Sequence, residues 1–323
     1  MKRRILLLAI VLIVFMMLPF FLSGFWIRLL THTLMFCALA SSLNIMAGFT
    51  GYAPFGNMLF FGVGSYSSAL LMNYLGLPFF LTLPLAGLTA VLFSIFFGTM
   101  FLRLRGQYFA LATTGAAEAM RHVVSNLDFA GGGQGMTVPY LQGSPAFINI
   151  YFYFVMLGMV IVVTSFVWWM SKSRLGYAFK AIRADEEAAG VMGIDTTRYK
   201  IIAWSFSALF TGMVGAVYAY WFSYIDPPTV FDIMWTVRMF VINLIGGIGT
   251  VFGPIIGAFL IETLSELVWS KFLYLHMGVL GVLIILVVMF MPDGIIRLVQ
   301  KRKDALMPIL QKMNILNDQR EKR

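Results

Sequence analysis

Charged residues, cysteines and histidines are scarce in this sequence, and each shortage excludes a class of protein or site. Only 11% of the 323 residues are charged, whereas soluble domains contain about 25%. The single cysteine, Cys37, excludes an intramolecular disulfide and argues against a thiolate metal site. The histidines His32, His122 and His276 have no ligand spacing, so we expect no metal site. The sequence contains no G-x-x-x-x-G-K-S/T phosphate-binding loop, so we expect neither ATP hydrolysis nor a cofactor in this chain.

Apolar residues, in contrast, dominate the chain. Hydrophobic types make up 60% of it, and apolar runs of about 18–25 residues, long enough to cross a bilayer as a helix, recur throughout. We therefore predict an all-α, polytopic helical membrane protein with about ten transmembrane helices in a single domain, residues 1–295. The predicted spans are 5–23, 29–47, 55–74, 79–102, 107–127, 149–170, 200–222, 233–248, 252–270 and 275–291.

Lysine and arginine are distributed unevenly among the connecting segments. If the N-terminus is cytoplasmic, 19 of the 23 Lys and Arg residues lie in cytoplasmic segments, as the positive-inside rule requires. Ten spans then make the C-terminus cytoplasmic too, and residues 296–323 form a basic cytoplasmic tail that we expect along the anionic inner leaflet. The net charge of +9 therefore reports membrane orientation, and we expect no binding to nucleic acid.

Glycine and proline interrupt the helical pattern in two places. The first interruption runs from Gly48, Thr50 and Gly51 through Pro54 to Gly56, Gly62 and Gly64. The second runs from Gly246 and Gly247 through Gly253 and Pro254 to Gly257. In transporters, interrupted spans often line the substrate path, because freed backbone groups are tolerated only inside protein or beside water. Composition alone leaves a second interpretation open, in which both places are tight turns and close-packing faces.

One compact segment, residues 172–200, carries ten charged side chains between two apolar stretches. Within it, residues 184–193 have the pattern of a short helix. Asp185 can cap its N-terminus, Glu186 and Glu187 suit the positive end of the helix dipole, and Gly193 can end it.

The same short helix has a small apolar face formed by Ala188, Val191 and Met192. Such a face fits a groove on a soluble protein. It equally fits a helix that rests on lipid headgroups, and the residues alone do not decide between the two.

Several charged residues fall within predicted spans, where charges are functional candidates by default. Glu118 lies in the middle of a span, with Arg121 one turn later. Arg238 enters the eighth span, and Glu262 and Glu266 share a face of the ninth. Glu118 and Arg238 are candidates for binding the ammonium and carboxylate of a zwitterionic amino acid. The alternative is that these groups form structural ion pairs inside the bundle.

Local motifs give the sequence a family resemblance. Glu187–Ala189 followed by Gly193 matches the start of the EAA loop of ABC importer permeases. The wider sequence resembles the LivM-type permease of branched-chain amino acid ABC importers over residues 29–295. The motifs that carry this resemblance are Gly48–Gly51, Phe60–Gly64, Arg103–Thr113, Gly131–Pro139, Ala181–Arg183, Gly193–Asp195, Tyr224–Pro227, Gly246–Gly249 and Gly253–Pro254.

The resemblance implies one membrane subunit of a larger importer in a bacterial or archaeal inner membrane. The implied partners are a second homologous permease, two cytoplasmic ABC ATPase subunits that bind ATP and Mg, and an extracytoplasmic amino-acid-binding protein. It also implies that residues 172–200 form a coupling loop contacting the ATPases by a coupling helix. The implied coupling residues are Asp185, Glu186, Glu187, Ala188, Ala189 and Gly193.

One part of the sequence departs from the family pattern. Tyr52, Pro54 and Asn57 stand where such permeases tend to have Gln, Ser and His. If this region lines the path, its polarity differs and the exact substrate changes with it, so a permease for urea, short amides or another amino acid stays open.

Two other classes of protein predict different features. An ion-driven secondary transporter would need a coupling-ion site at the membrane midplane and no ATPases. An intramembrane enzyme would need paired catalytic groups at one depth, and the sequence contains no convincing set.

Overall fold

Helices form nearly all of the regular structure. The computed structural model describes residues 12–271, together with Ile10, Gly278 and Gly281. Residues 12–17 are helical and lead into a short 3-10 turn, Leu18–Phe20. The α-helices that follow are α1 (Gly24–Ala47), α2 (Met58–Leu75), α3 (Phe79–Phe101), α4 (Gln107–Ser125), α5 (Pro145–Lys172), α6 (Arg174–Ala184), α7 (Glu186–Val191), α8 (Thr196–Phe222), α9 (Pro227–Val230), α10 (Ile233–Gly246) and α11 (Gly253–Lys271).

Eight of the ten predicted spans coincide with helices α1 to α5, α8, α10 and α11. Within the described residues, five stretches are long and apolar enough to cross a membrane: α1, α3, α5, α8, and α9 together with α10. The prediction of a helical membrane protein is therefore confirmed, while the count of about ten and the orientation stay predictions. The predicted span at 275–291, apart from Gly278 and Gly281, and the tail at 296–323 lie outside the described residues, as do the first nine residues.

Helix α8 forms the centre of the bundle and packs against α1, α2 and α3. Small residues let it approach its neighbours closely. A side chain at Gly212 would meet the Cβ atom of Ala90 in α3, and a side chain at Gly215 would meet the backbone of Phe61 in α2. The backbones of these helices are therefore near van der Waals contact at the core.

Acceptor side chains begin four of the described helices, Asp185 at α7 among them, as the N-cap preference predicts. Ser144 accepts a hydrogen bond from a backbone N–H in the first turn of α5, Asp195 from one in α8 and Asp232 from one in α10. These caps fix where the chain enters the bundle.

The two ends of the bundle carry different structures. At one end, strands β1 (Met136–Thr137) and β2 (Tyr224–Ile225) pair antiparallel and join the glycine-rich loop after α4 to the turn after α8. At the other end lie α6, α7 and both glycine interruptions. We call this second end the coupling end, and the segment from α6 to the start of α8 the coupling segment.

The coupling segment corrects one prediction. The sequence pattern predicted a single short helix over 184–193, but Ala184 ends helix α6 and α7 covers only Glu186–Val191. Asp185 separates the two helices because its backbone is extended, with φ −161° and ψ 115°. The chain therefore turns at Asp185 and presents α7 as a separate element.

Candidate functional site: the coupling end and the polar helix faces

Helix α7 begins at the predicted cap. The Asp185 carboxylate accepts hydrogen bonds from the backbone N–H groups of Glu187 at 2.9 Å and Ala188 at 3.0 Å. Met192 follows the last helical residue, and Gly193 then adopts φ +86°, a left-handed conformation that favours glycine. The predicted roles of Asp185 as cap and Gly193 as terminator agree with this geometry.

The two sides of α7 differ in exposure. Ala189 is buried against the bundle, whereas the side chains of Val191 and Met192 are 88% and 83% exposed. Ala188 is exposed too. Large apolar side chains this open to solvent, at the tip of a short helix, are typical of a surface that another protein covers.

The two glutamates at the start of α7 lie in different surroundings. Glu187 is 77% exposed and accepts a hydrogen bond from Arg105 Nη1 at 2.7 Å. Glu186 is only 15% exposed and accepts a hydrogen bond from Lys200 Nζ, also at 2.7 Å. Glu186 thus faces the bundle, while Glu187 faces outward.

Tyr52 completes the buried group around Glu186. Its hydroxyl donates to Glu186 Oε2 and accepts from Lys200 Nζ at 3.2 Å. The ammonium of Lys200 also lies 4.6 Å from the centre of the Tyr52 ring, a distance typical of a cation–π contact. We call Tyr52, Glu186 and Lys200 the buried triad.

The ionisation of the triad follows from its contacts. Burial and then the hydrogen bond to the Glu186 carboxylate raise the pKa of Tyr52 above its ordinary value of 10.0. Burial alone would raise the pKa of Glu186, but hydrogen bonds from Lys200 and Tyr52 outweigh it and hold that pKa below 4.5. At neutral pH the triad is therefore a neutral phenol with a carboxylate.

The first glycine interruption is tied to helix α6. The Arg183 guanidinium donates through Nη1 to the backbone carbonyl of Gly48, which lies just after α1. Thr50 is buried and its hydroxyl donates back to the carbonyl of Met46 at 2.7 Å. Gly51 has φ +79°, so the chain turns there and delivers Tyr52 to the buried triad.

The second glycine interruption meets the first. Asn44 of α1 donates to the carbonyl of Thr250 at 2.8 Å and accepts from the N–H of Gly249 at 2.8 Å. A side chain at Gly249 would collide with the guanidinium of Arg183 and with the Gly48 carbonyl. Arg183 and Asn44 thus hold the two interruptions together at the coupling end.

Gly246 and Gly247 end helix α10 at this junction. A side chain at Gly246 would meet the backbone of Gly253, and Gly247 has φ +114°. Gly246 and Gly247 therefore form a tight turn and a close backbone contact, as the second interpretation of the glycine interruptions predicts. Their position beside the first interruption is also where a path between the ends of broken helices would run.

Pro54 and Asn57 are both buried. The Asn57 amide donates to Thr211 Oγ1 at 3.1 Å and accepts from Ser207 Oγ at 3.3 Å, both in α8. In this conformation Asn57 therefore joins the start of α2 to the centre of the bundle and is not open to a path.

Glu118 lies on an open face of helix α4. Its side chain is 51% exposed and pairs with Arg121 and, at 3.3 Å, with His122, both on the same helix. Tyr108 and Leu111, which are 66% and 68% exposed, continue this face. Helix α4 is thus amphipathic, with the polar and mixed side turned away from the bundle.

Arg238 belongs to a separate group around the buried carboxylate of Glu262, in which Arg238 and His32 are themselves partly exposed. Its Nη2 atom donates to Glu262 Oε2 at 2.8 Å, and His32 Nδ1 lies 3.1 Å from the same oxygen. The guanidinium also lies 4.6 Å from the ring centre of Phe36. These contacts connect α1, α10 and α11. Glu118 and Arg238, proposed from the sequence as two ends of one site, therefore have different partners on different helices.

Four residues at the coupling end went unnoticed as site candidates: Asn44, Arg105, Arg183 and Lys200. Arg183 and Arg105 stand inside motifs that carry the family resemblance, and this was a usable signal. Lys200 is only 2% exposed. Because Lys200 stands among charged neighbours at the end of an apolar span, the sequence predicts that it is exposed to solvent. Nothing in the local sequence indicates that it is buried.

The chain is similar to known permeases. The family model described as "Branched-chain amino acid transport system / permease component" matches residues 25–288. The high-affinity branched-chain amino acid transport system permease protein LivM of Salmonella typhimurium is 30% identical, over 91% of this chain and 75% of that protein. The LivM protein of Escherichia coli is 30% identical, over 86% of this chain and 71% of that protein.

A shorter similarity reaches a different transport system. The autoinducer 2 import system permease protein LsrC of Photorhabdus laumondii is 29% identical, over 33% of this chain and 34% of that protein. No solved structure matches the chain significantly.

Proposed function

Because the chain belongs to the permease family of branched-chain amino acid transport systems, we propose that it is a membrane subunit of an ABC importer for branched-chain amino acids. As a member of this family it is a transport component and not an enzyme. The two LivM relatives, both named for branched-chain amino acid transport and aligned over most of their length, carry the proposal for the substrate.

The proposed importer has four further subunits. A second homologous permease forms the path together with this chain, and two ABC ATPases bind ATP and Mg on the cytoplasmic side. An extracytoplasmic protein delivers the amino acid. We place the complex in the inner membrane of a bacterium or archaeon, with the coupling end toward the cytoplasm, since 19 of the 23 Lys and Arg residues then lie inside.

Helix α7 is the proposed contact with an ATPase. It is short, capped at Asp185, and separated from α6 by an extended residue, so it can move as one element. Val191 and Met192 offer an open apolar surface at its tip, and Glu187 adds an exposed carboxylate. These features fit a groove on a soluble partner better than a lipid surface, because α7 itself has no basic residue to bind anionic headgroups.

The proposed path runs between the two permeases along the open face of α4. A charged pair within the membrane is tolerated where protein or water covers it, and Glu118 with Arg121 lies on that face. The path ends at the junction of the two glycine interruptions, where Gly48, Gly246 and Gly247 bring broken helix ends together. Closing of the ATPases would move α7, and the attached helices would open the path to the other side.

The test is transport by the complete importer. We expect purified complex with its binding protein, reconstituted in proteoliposomes, to import leucine, isoleucine or valine only when ATP is enclosed. Uptake of urea or acetamide instead would contradict the proposed substrate. Uptake driven by an ion gradient without ATP would contradict the proposed mechanism.

A variant of α7 tests the coupling contact. We expect Val191→Asp, which places a carboxylate in the proposed apolar contact, to lower leucine uptake about tenfold or more while the chain still inserts into the membrane. Thr197→Asp is the control, since it adds the same charge at another exposed position of the coupling segment. Equal leucine uptake by both variants would show that Val191 is not part of the contact with the ATPase.

A further inference from the structure

We propose that Lys200 is a positioning residue that transmits movement of helix α7 to the first glycine interruption, through Glu186 and Tyr52. This inference rests on the proposed function, and it names the internal link between the ATPase contact and the path.

Lys200 joins three separate parts of the chain. Its Nζ atom donates to Glu186 Oε1 at 2.7 Å, to the carbonyl of Leu102 at 3.0 Å and to the Tyr52 hydroxyl at 3.2 Å. An ammonium group has three N–H donors, and each has a partner on a different segment: α7, the end of α3, and the loop between α1 and α2. The side chain is 3% exposed, so water does not compete for these donors.

Tyr52 closes the triangle. Its hydroxyl accepts from Lys200 and donates to Glu186, so all three members of the buried triad contact one another. Tyr52 directly follows Gly51, which turns the chain with φ +79°. A shift of Glu186 would therefore displace Tyr52, which is next to the turn at Gly51 in the loop between α1 and α2.

Burial makes this link stiff. Separating the mostly covered Glu186 carboxylate, which is 15% exposed, from the 3% exposed Lys200 ammonium leaves both charges poorly hydrated, which costs more than separating an exposed pair. An exposed pair lies beside it: Arg105 and Glu187 have the same 2.7 Å separation but side-chain exposures of 61% and 77%, and Arg105 Nε is also 4.0 Å from Glu186 Oε2. Water can replace that contact, so the exposed pair yields when α7 moves, whereas the buried triad moves with it.

A second contact attaches the same loop to the coupling segment. Arg183 of α6 donates to the Gly48 carbonyl, four residues before Tyr52. The loop is thus held at both ends of its turn by residues that flank Asp185. Lys200 in turn lies in α8, the helix at the centre of the bundle, so movement of α7 acts on the loop and on the core together.

The experiment measures coupling in the complete importer. In proteoliposomes containing the full complex and its binding protein, ATP hydrolysed per leucine imported is compared for wild type, Lys200→Met and Arg198→Met. Arg198 lies two residues away on α8 and is 82% exposed, so the same substitution there is the control. We expect Lys200→Met to raise the ratio about threefold or more, because hydrolysis continues while fewer cycles open the path, and Arg198→Met to leave it unchanged.

A more conservative substitution provides the test if the importer with Lys200→Met does not assemble. Tyr52→Phe removes only the hydroxyl and keeps the ring in place, and we expect the ratio to rise in the same direction by a smaller factor. A merely structural role would lower the amount of complex without changing ATP used per leucine. Wild-type ratios in every variant that assembles would overturn the inference. Absence of ATP-driven leucine uptake by the wild-type complex would instead overturn the proposed function on which it rests.

Discussion

Two groups of charges in the membrane-spanning helices differ in what they hold together. Glu118, Arg121 and His122 all belong to α4 and, among the described residues, form ion pairs only across one helical turn, with exposures of 31% to 66%. Glu262 is 2% exposed and receives Arg238 and His32 from two other helices. The ion pairs of the first group join no two helices in the part of the chain that the structure describes, whereas those of the second join α1, α10 and α11.

This difference separates a path candidate from a structural pair. An exposed charge that stabilises no helix contact has to be explained by what covers it in the assembled protein. A buried charge with partners on neighbouring helices is explained by the packing itself, because removing one partner leaves the others unpaired. We therefore assign the α4 group to the proposed path and the Glu262 group to the bundle.

The largest expected effect comes from removing the buried carboxylate. We expect Glu262→Leu to destabilise the protein by about 1.5–3 kcal/mol, because the partly exposed Arg238 and His32 would lose their shared partner. The measurement is thermal unfolding of purified protein in detergent. Glu266→Leu, one turn later on the same helix, is the control and should change stability much less. Similar losses in both variants would show that the Glu262 group holds nothing together.

The next effect concerns transport and not stability. If the open face of α4 lines the path, Glu118→Gln should lower leucine uptake about tenfold, since a charged hydrogen bond to substrate contributes about 1.5–3 kcal/mol. Thermal unfolding should be unchanged, because the described partners of Glu118 all lie on its own helix. Glu266→Gln serves as the control for loss of a carboxylate elsewhere. Full leucine uptake by Glu118→Gln would show that the α4 group does not line the path.

Cysteine labelling compares the exposed face of α4, which we assign to the path, with the exposed face of α3, which we expect to contact lipid. The native Cys37 is buried, so introduced cysteines can be labelled above a low background. We expect Leu111→Cys on α4 to react about fivefold faster with a membrane-impermeant maleimide than Leu92→Cys on α3, because the thiolate forms in water. Their side chains are equally open in the isolated chain, at 68% and 66%. Equal rates in the assembled importer would show that the α4 face is no wetter than one facing lipid.

Sequence reasoning predicted the features that depend on neighbouring residues. Apolar runs marked the helices to within a few residues at most ends, and the cap at Asp185 was visible because an N-cap needs only its own first turn. Both glycine interruptions contain a real break between helices, but they were drawn too long, since Gly62 and Gly64 lie inside α2 and Gly257 lies inside α11. The short helix predicted over 184–193 was too long, and helix α6 before it was not predicted, because a short charged helix lacks the long apolar run by which the spans are found.

Contacts between distant residues could not be predicted in the same way. Arg183 and Gly48 are 135 positions apart, and Lys200 and Tyr52 are 148 apart, so their meeting depends on how α1, α6 and α8 pack. Arg238 was assigned to a path with Glu118, yet its partner is Glu262. A single sequence shows that a charge lies in a span, but the helix that faces it is a property of the whole bundle.

The smallest effect compares a covered and an exposed carboxylate outside the membrane-spanning helices. Glu186 is 15% exposed and Glu187 is 77% exposed. At pH 7 we expect Glu186→Gln to lower the melting temperature more than Glu187→Gln, because an exposed pair contributes at most about 1 kcal/mol. The pKa of Glu186 is depressed below 4.5, so its stabilisation is complete above that pH and lost as the pH falls through the folded-state pKa. Melting curves should therefore show a constant difference between wild type and Glu186→Gln from pH 8 to pH 6, narrowing only below pH 4.5. A difference that shrinks already between pH 8 and pH 6 would mean that Glu186 is not the ionised partner of Lys200.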